Sequence, residues 1–193
     1  MAVYRLIAGL GNPGESYLHT RHNLGFMVID CLSQHLAGGG DKTWQKRFGS
    51  EVMEGTLAGC KVILFKPMSY MNLSGMPTSQ CMAYYKVLPE EVVVVHDDID
   101  LPFGVIRIRK GCGDAGHNGV KSITEALGTV DYVRVRCGIG RPNGKHVPDF
   151  VLDRFDLEEE KELEGFIKRG AMAVEALLSM GLTAAQNAFN REV

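Results

Sequence analysis

The sequence holds no Cys-x-x-Cys pair, no Gly-x-Ser-x-Gly elbow, no apolar run of membrane-spanning length and no surplus of either charge. Each absence removes a class of protein. The five cysteines, Cys31, Cys60, Cys81, Cys112 and Cys137, are odd in number and widely spaced, which fits neither a disulfide framework nor a zinc site. With no elbow and no other marked serine or cysteine, the attacking group in any hydrolysis is expected to be water. Without an apolar run of about 18 residues, no membrane helix is expected. The start, Met-Ala-Val-Tyr-Arg, enters an apolar run without a charged leader, so a cytoplasmic, reducing location is the expectation. The net charge of −2 gives no global argument for a nucleic-acid partner. Internal repeats and low-complexity stretches are absent too.

What is present is unevenly distributed. A length of 193 residues suits one domain, 1–193, with a substantial core. Residues 101–147 carry eight Lys/Arg against three acids, and residues 148–193 carry five against ten. A basic middle followed by an acidic tail is the footprint expected of a polyanion partner on one part of the surface.

Apolar runs end repeatedly in polar loops. Residues 4–10 lead into Gly11-Asn12-Pro13-Gly14, and Asn23 stands as N-cap of a helix over 23–36. Gly38-Gly39-Gly40 ends that helix and begins a loop. The runs 50–57 and 61–65 read as a hairpin ending before Tyr70-Met71-Asn72, and Ser74 or Thr78 could cap the helix that follows, to about 87. Four consecutive valines at 92–95 read as a strand buried on both faces, ending in His96-Asp97-Asp98.

Residues 105–109 and 132–136 alternate apolar with cationic side chains at period two, which predicts two strands with basic faces toward solvent. If they are neighbours, Arg107, Arg109, Arg134 and Arg136 form one cationic patch. The glycine-rich stretch 111–119 between them could offer an anion-binding nest before a helix over 120–127. In the tail, Asp156 and Glu159 resemble a capping box, and Leu163, Phe166, Ile167, Ala171, Val174 and Leu177 line one helical face, with a short last helix over 183–189.

Gly-Leu-Gly-Asn-Pro-Gly at 9–14 matches the dinucleotide fingerprint in form, but that fingerprint needs a helix to open at its glycines, and the best helix start is Asn23. His22 becomes a candidate base if the fold brings a carboxylate to it. Period-two alternation puts Asp97 on the side opposite His96 and Asp98, which leaves open the acid that serves. Asn12, Asn72 and Asn118 each follow a strand; together they could orient water or stabilise an oxyanion, although turn propensity explains any single one.

Taken in order, Gly-Leu-Gly-Asn-Pro-Gly, Thr-Arg-His-Asn, Lys-Pro-Met-Ser-Tyr-Met-Asn-Leu-Ser-Gly, His-Asp-Asp-Ile-Asp-Leu-Pro and Gly-His-Asn-Gly-Val-Lys closely resemble the bacterial-type peptidyl-tRNA hydrolase family. Arg-Cys-Gly-Ile-Gly-Arg-Pro at 136–142 and the helical tail extend the resemblance over nearly the whole chain. It implies a single α/β domain: a mixed, mostly parallel twisted sheet flanked by helices, with a helical C-terminal segment. It implies hydrolysis of the ester between a peptide and the terminal ribose of tRNA, which recycles tRNA from aborted translation. His22 is then the general base and Asp97 its partner. Asn12, Tyr17, Met71, Asn72, His117 and Asn118 are substrate-binding, and Arg109 and Arg136 hold a tRNA phosphate. No metal or organic cofactor is implied, and the expected partner is peptidyl-tRNA, through its acceptor end and peptide, bound by a monomer, with neither DNA nor membrane. Two departures from the family pattern stand out: Asp98-Ile99, where a Glu and a Leu are commoner, and Asp114, an acid beside the proposed nest.

Overall fold

The computed structural model describes residues 5–37, 43–144 and 146–190. Seven strands form one sheet in the order β2-β3-β4-β1-β5-β7-β6. They are β1 (Arg5–Gly9), β2 (Gln45–Arg47), β3 (Ser50–Leu57), β4 (Cys60–Pro67), β5 (Val92–Asp98), β6 (Ile106–Lys110) and β7 (Val133–Gly138). The central run β4-β1-β5-β7 is parallel, while β3, β2 and β6 join antiparallel at the edges. The helices are α1 (Leu24–His35), α2 (Gly75–Tyr85), α3 (Asn118–Leu127), α4 (Val147–Val151) and α5 (Leu157–Phe189). The mixed, mostly parallel sheet with a helical C-terminal segment is therefore as expected.

Strand periodicity sorts the core into two layers. Ile7, Val93, Val95, Val133 and Val135 pack with Val28, Ile29 and Leu32 of α1 and Phe166, Ala171 and Val174 of α5. Leu6, Ala8, Ile63, Phe65, Val92 and Val94 pack on the other face with Cys81 of α2 and Val120 and Ile123 of α3. All of β5 is buried, as its valine run predicts for a central parallel strand. The β3–β4 hairpin turns through Ala58 (φ 49°) and Gly59 (φ 79°), the paired left-handed geometry that matches strand twist in a two-residue turn.

Several local expectations are corrected. β2 pairs with β3 where a loop was expected. The Gly38-Gly39-Gly40 stop lies outside the described residues. Asn23 stands at the N-cap of α1 as expected, but its side chain makes no capping hydrogen bond; its amide accepts from Asn12 N and donates to Asn12 O, both at 2.9 Å. Ser74 likewise holds the N-cap position of α2 while its hydroxyl donates to Met71 O, and Thr78 lies inside the helix and donates to Ser74 O. The helix expected over 120–127 begins two residues earlier, capped by His117. In the tail, the Asp156–Glu159 capping box forms, and Gly181 (φ 80°, ψ 174°) breaks α5 ahead of its short last segment. Among the described residues no helix is long and apolar enough to cross a membrane.

The basic strand faces need the largest correction. β6 and β7 are neighbours, with Arg107 opposite Arg136 and Arg109 opposite Arg134, so all four cations do share a face. But β7 is an interior strand, and Arg134 is only 2% exposed, donating to Gly113 O and the Cys112 sulfur. The 111–116 loop lies over it. Gly116 N–H donates to Asp114 Oδ1 at 2.8 Å, so the acid occupies a loop amide that an anion nest would need.

Candidate active site

Three strands of the central run end beside one another and supply the site. β1 is flanked by β4 and β5, so the chain turns to opposite sides of the sheet around it, the place where an open α/β sheet leaves a crevice. The turn after β1 carries Asn12, the turn after β4 carries Met71 and Asn72, and the last two residues of β5 are Asp97 and Asp98.

The glycines of the first turn serve helix packing. A Cβ on Gly9 would lie 2.4 Å from Gly25 O, and one on Gly25 would lie 2.4 Å from Leu10 N. α1 can thus cross directly over the end of β1, and the turn just before it (Arg21–Asn23) drops His22 beside Asp97.

The result is a cleft of about 580 Å³. It is lined by Asn12, Tyr17, His22, Met71, Asn72, Asp97, His117 and Asn118, which the sequence named, and by Tyr70, Asp98, Ile99, residues 114–116, Val147, Pro148, Val151 and Leu152. Arg109 and Arg136 are not in its lining. Arg109 is exposed on the edge strand, and Arg136 donates from Nε to Asp98 Oδ2 at 2.6 Å.

Asp97, 1% exposed, is the centre of the polar network. His22 Nδ1 lies 3.0 Å from both of its oxygens, and His117 Nε2 lies 2.9 Å from Oδ1. The tautomers follow from the partners. His117 Nδ1 accepts from the N–H groups of Gly119 and Val120, so its proton is on Nε2 and is donated to Asp97. His22 likewise donates from Nδ1 and keeps the Nε2 lone pair for the cleft.

Burial opposes charge on both members of the pair, yet the pair wins. Burial would lower the His22 pKa, but the charge and hydrogen bond of Asp97 raise it above 6.5. Burial would raise the Asp97 pKa, but His22 and His117 hold its carboxyl well below the usual carboxylate range. His96, fully buried, is pushed well below 6.5 by burial and by His117 and Arg134, so it stays neutral. It donates from Nδ1 to Asp97 O at 2.7 Å, and its Nε2 has no partner among the described residues.

The asparagines are differently engaged. Asn12 Oδ1 accepts Met71 N–H at 2.8 Å, tying the turn after β1 to the turn after β4 and leaving the NH2 donors without a partner among the described residues. The exposed Asn72 and Asn118 line the cleft with their amides unengaged by other described residues. Uncharged donors therefore converge on a histidine–carboxylate pair, an arrangement able to activate water and stabilise an oxyanion. His22, Asp97 and His117 also bring three potential metal-ligand atoms within 4.8 Å of one another. Here those atoms share protons at hydrogen-bond length, and two of them are imidazole N–H donors.

Sequence reasoning missed the α4 wall and the Asp98–Arg136 pair. The signal for α4 was a proline just inside a helix start, Val147-Pro148. No local signal could pair Asp98 with Arg136, 38 residues apart.

Comparison with known proteins agrees along the chain. The family model described as Peptidyl-tRNA hydrolase matches residues 6–193. The peptidyl-tRNA hydrolase of Nocardia farcinica is 49% identical over 184 residues, covering 94% of each chain. That of Rhodococcus erythropolis is 50% identical over 183 residues, covering 94% of this chain and 95% of the relative. The crystal structure of peptidyl-tRNA hydrolase from Acinetobacter baumannii superposes with a TM-score of 0.88 at 34% identity, covering 98% of this chain and 96% of that one.

Proposed function

This chain belongs to the peptidyl-tRNA hydrolase family of enzymes, and we propose that His22 and Asp97 activate the water that cleaves the ester between peptide and terminal ribose. The observation that carries this reading is the contact of His22 Nδ1 with both Asp97 oxygens at 3.0 Å, on the wall of the cleft. His22 Nε2 takes a proton from water as the oxygen attacks the ester carbonyl. Asp97 stabilises the imidazolium that forms. Amide N–H groups of Asn12, Asn72 and Asn118 hold the oxyanion and the peptide backbone. The C–O bond to the ribose then breaks, and the ribose oxygen takes the proton back from His22. Free tRNA and free peptide leave.

An ester has a competent leaving group, so an imidazole base and neutral donors suffice for the chemistry. The raised His22 pKa makes the imidazole a stronger base and lowers its neutral fraction near pH 7. Tyr17, Tyr70, Met71 and the α4 wall receive the peptide, and His117 fixes Asp97. Arg109, with Arg136, meets a tRNA phosphate outside the cleft. In this reading the enzyme recycles tRNA from aborted translation in the cytoplasm and acts as a monomer.

The test is release of free tRNA from purified peptidyl-tRNA. His22→Ala should lose about 10²–10⁴-fold in kcat with tRNA affinity retained; normal turnover in that variant would refute the base assignment.

A further inference from the structure

Arg21 precedes His22 in the chain and is 5% exposed, yet nothing in the chemistry above uses it. Its guanidinium donates from one nitrogen to Arg154 O at 2.6 Å and from another to Glu159 Oε2 at 2.5 Å. The guanidinium carbon stands 4.3 Å from the centre of the Phe150 ring and 5.5 Å from that of Phe155. The backbone adds to this: Arg21 N–H donates to Asp153 O at 3.0 Å, and Thr20 bridges Arg154. Every one of these partners belongs to 150–159, the end of α4 and the start of α5.

That segment carries one wall of the cleft. Val147, Pro148, Val151 and Leu152 line the site, and α4 packs chiefly on the turn that holds His22. Glu159 Oε2 has two duties, since it also accepts Asp156 N–H at 3.0 Å and so completes the capping box of α5. A buried guanidinium is costly unless it is paired, and here the pairing spans 138 residues of sequence to join the turn of the base to the segment that carries the peptide-binding wall.

We propose that Arg21 is a positioning residue: it locks the His22 turn to the α4 wall and to the first turn of α5, so base and peptide-binding wall hold one fixed spacing. The proposal rests on the reading of His22 as base and of the cleft as the peptidyl-tRNA site. Reacting groups must be held within a fraction of an ångström, and misplacement by about 1 Å costs about 10²-fold. Both kcat and KM therefore depend on the lock, although Arg21 touches no reacting atom.

Two variants test it without emptying the site. Arg21→Lys keeps the charge but loses the planar fork and its stacking on Phe150. Glu159→Gln keeps an oxygen for the Asp156 N–H, so the cap survives while the ion pair is lost. Turnover of peptidyl-tRNA across pH is measured for each, with urea unfolding alongside. Each folded variant should lose about 10-fold in kcat and gain about threefold in KM. The acid limb of the pH profile should stay in place, because Arg21 acts through geometry, and the double variant should be no worse than Arg21→Lys alone. Unchanged kcat and KM in either folded variant, a loss that only tracks the folded fraction, or additive effects in the double variant would overturn the proposal. If Arg21→Lys does not fold, Glu159→Gln carries the test. Failure of the base assignment shows separately, as turnover in His22→Ala.

Discussion

At the scale of single residues the site depends on one carboxylate that two imidazoles share. Asp97 raises the His22 pKa above 6.5, so the neutral base, and with it kcat, should appear only as pH rises through that raised value. Replacing Asp97 with Asn removes the charge that raises it, so the acid limb of the pH–rate profile should move down while the plateau also falls. A midpoint left in place would mean that another group sets the limb. Stability runs the other way. A raised folded-state pKa contributes stabilisation that is fully present below the unfolded value and is lost as pH rises through the folded one. The pair therefore holds the turn most firmly where the base is protonated and inactive.

Among the elements, α3 shows how a helix terminus can serve a site. His117 caps it through Nδ1 and serves Asp97 through Nε2. These duties separate in His117→Asn, because asparagine is among the best N-caps but is too short to reach Asp97. The thermal midpoint should change little while kcat falls as far as in His117→Ala; kcat retained in His117→Asn would remove the Asp97 contact from the mechanism. α1 makes a different demand, for close approach. A Cβ at Gly25 would meet Leu10 N at 2.4 Å and Val95 O at 2.5 Å, both backbone atoms that cannot step aside. Gly25→Ala should cost at least about 1–3 kcal/mol in denaturant unfolding. Gly165→Ala, on the exposed side of α5 with only Arg169 Nη1 at 3.7 Å, should instead stabilise by about 0.5–1 kcal/mol.

For the whole molecule the question is how a chain of net charge −2 meets a polyanion. Arg107, Arg109, Arg134 and Arg136 share one sheet face at the β6 edge, but they are not equally placed to meet it. Arg134 is buried, Arg136 is paired with Asp98, and Arg109 is exposed. Replacing Arg109 and Arg136 together with Gln should raise KM and flatten its salt dependence by about 0.7–0.9 log units per lost phosphate contact. Arg109→Gln alone should carry more of that change than Arg136→Gln, since Asp98 already offsets part of the Arg136 charge. An unchanged salt slope in the double variant would exclude this edge as the phosphate site.

Periodicity and turn residues made much of this legible from the chain alone. The valine run of β5, the β3–β4 hairpin, the amphipathic stripe of α5 and its Asp156–Glu159 cap are local patterns, set by neighbouring residues and so readable without the fold. Ordered motifs likewise carried seven of the cleft residues, Asn12, His22, Met71, Asn72, Asp97, His117 and Asn118. Other features are long-range. Whether Arg134 faces solvent depends on β7 lying inside the sheet, and whether the Asn23 side chain bonds its own helix end depends on Asn12 being near enough to take its amide. Asp97 became the carboxylate that meets His22, and Asp98 the one that meets Arg136, because β5 turns alternate side chains to opposite faces and different elements wait on each. Sequence determined the elements and the chemical groups; the packing of α1 on the end of β1, and of α4 on the His22 turn, decided which of those groups meet, because contacts between distant residues have no local signature.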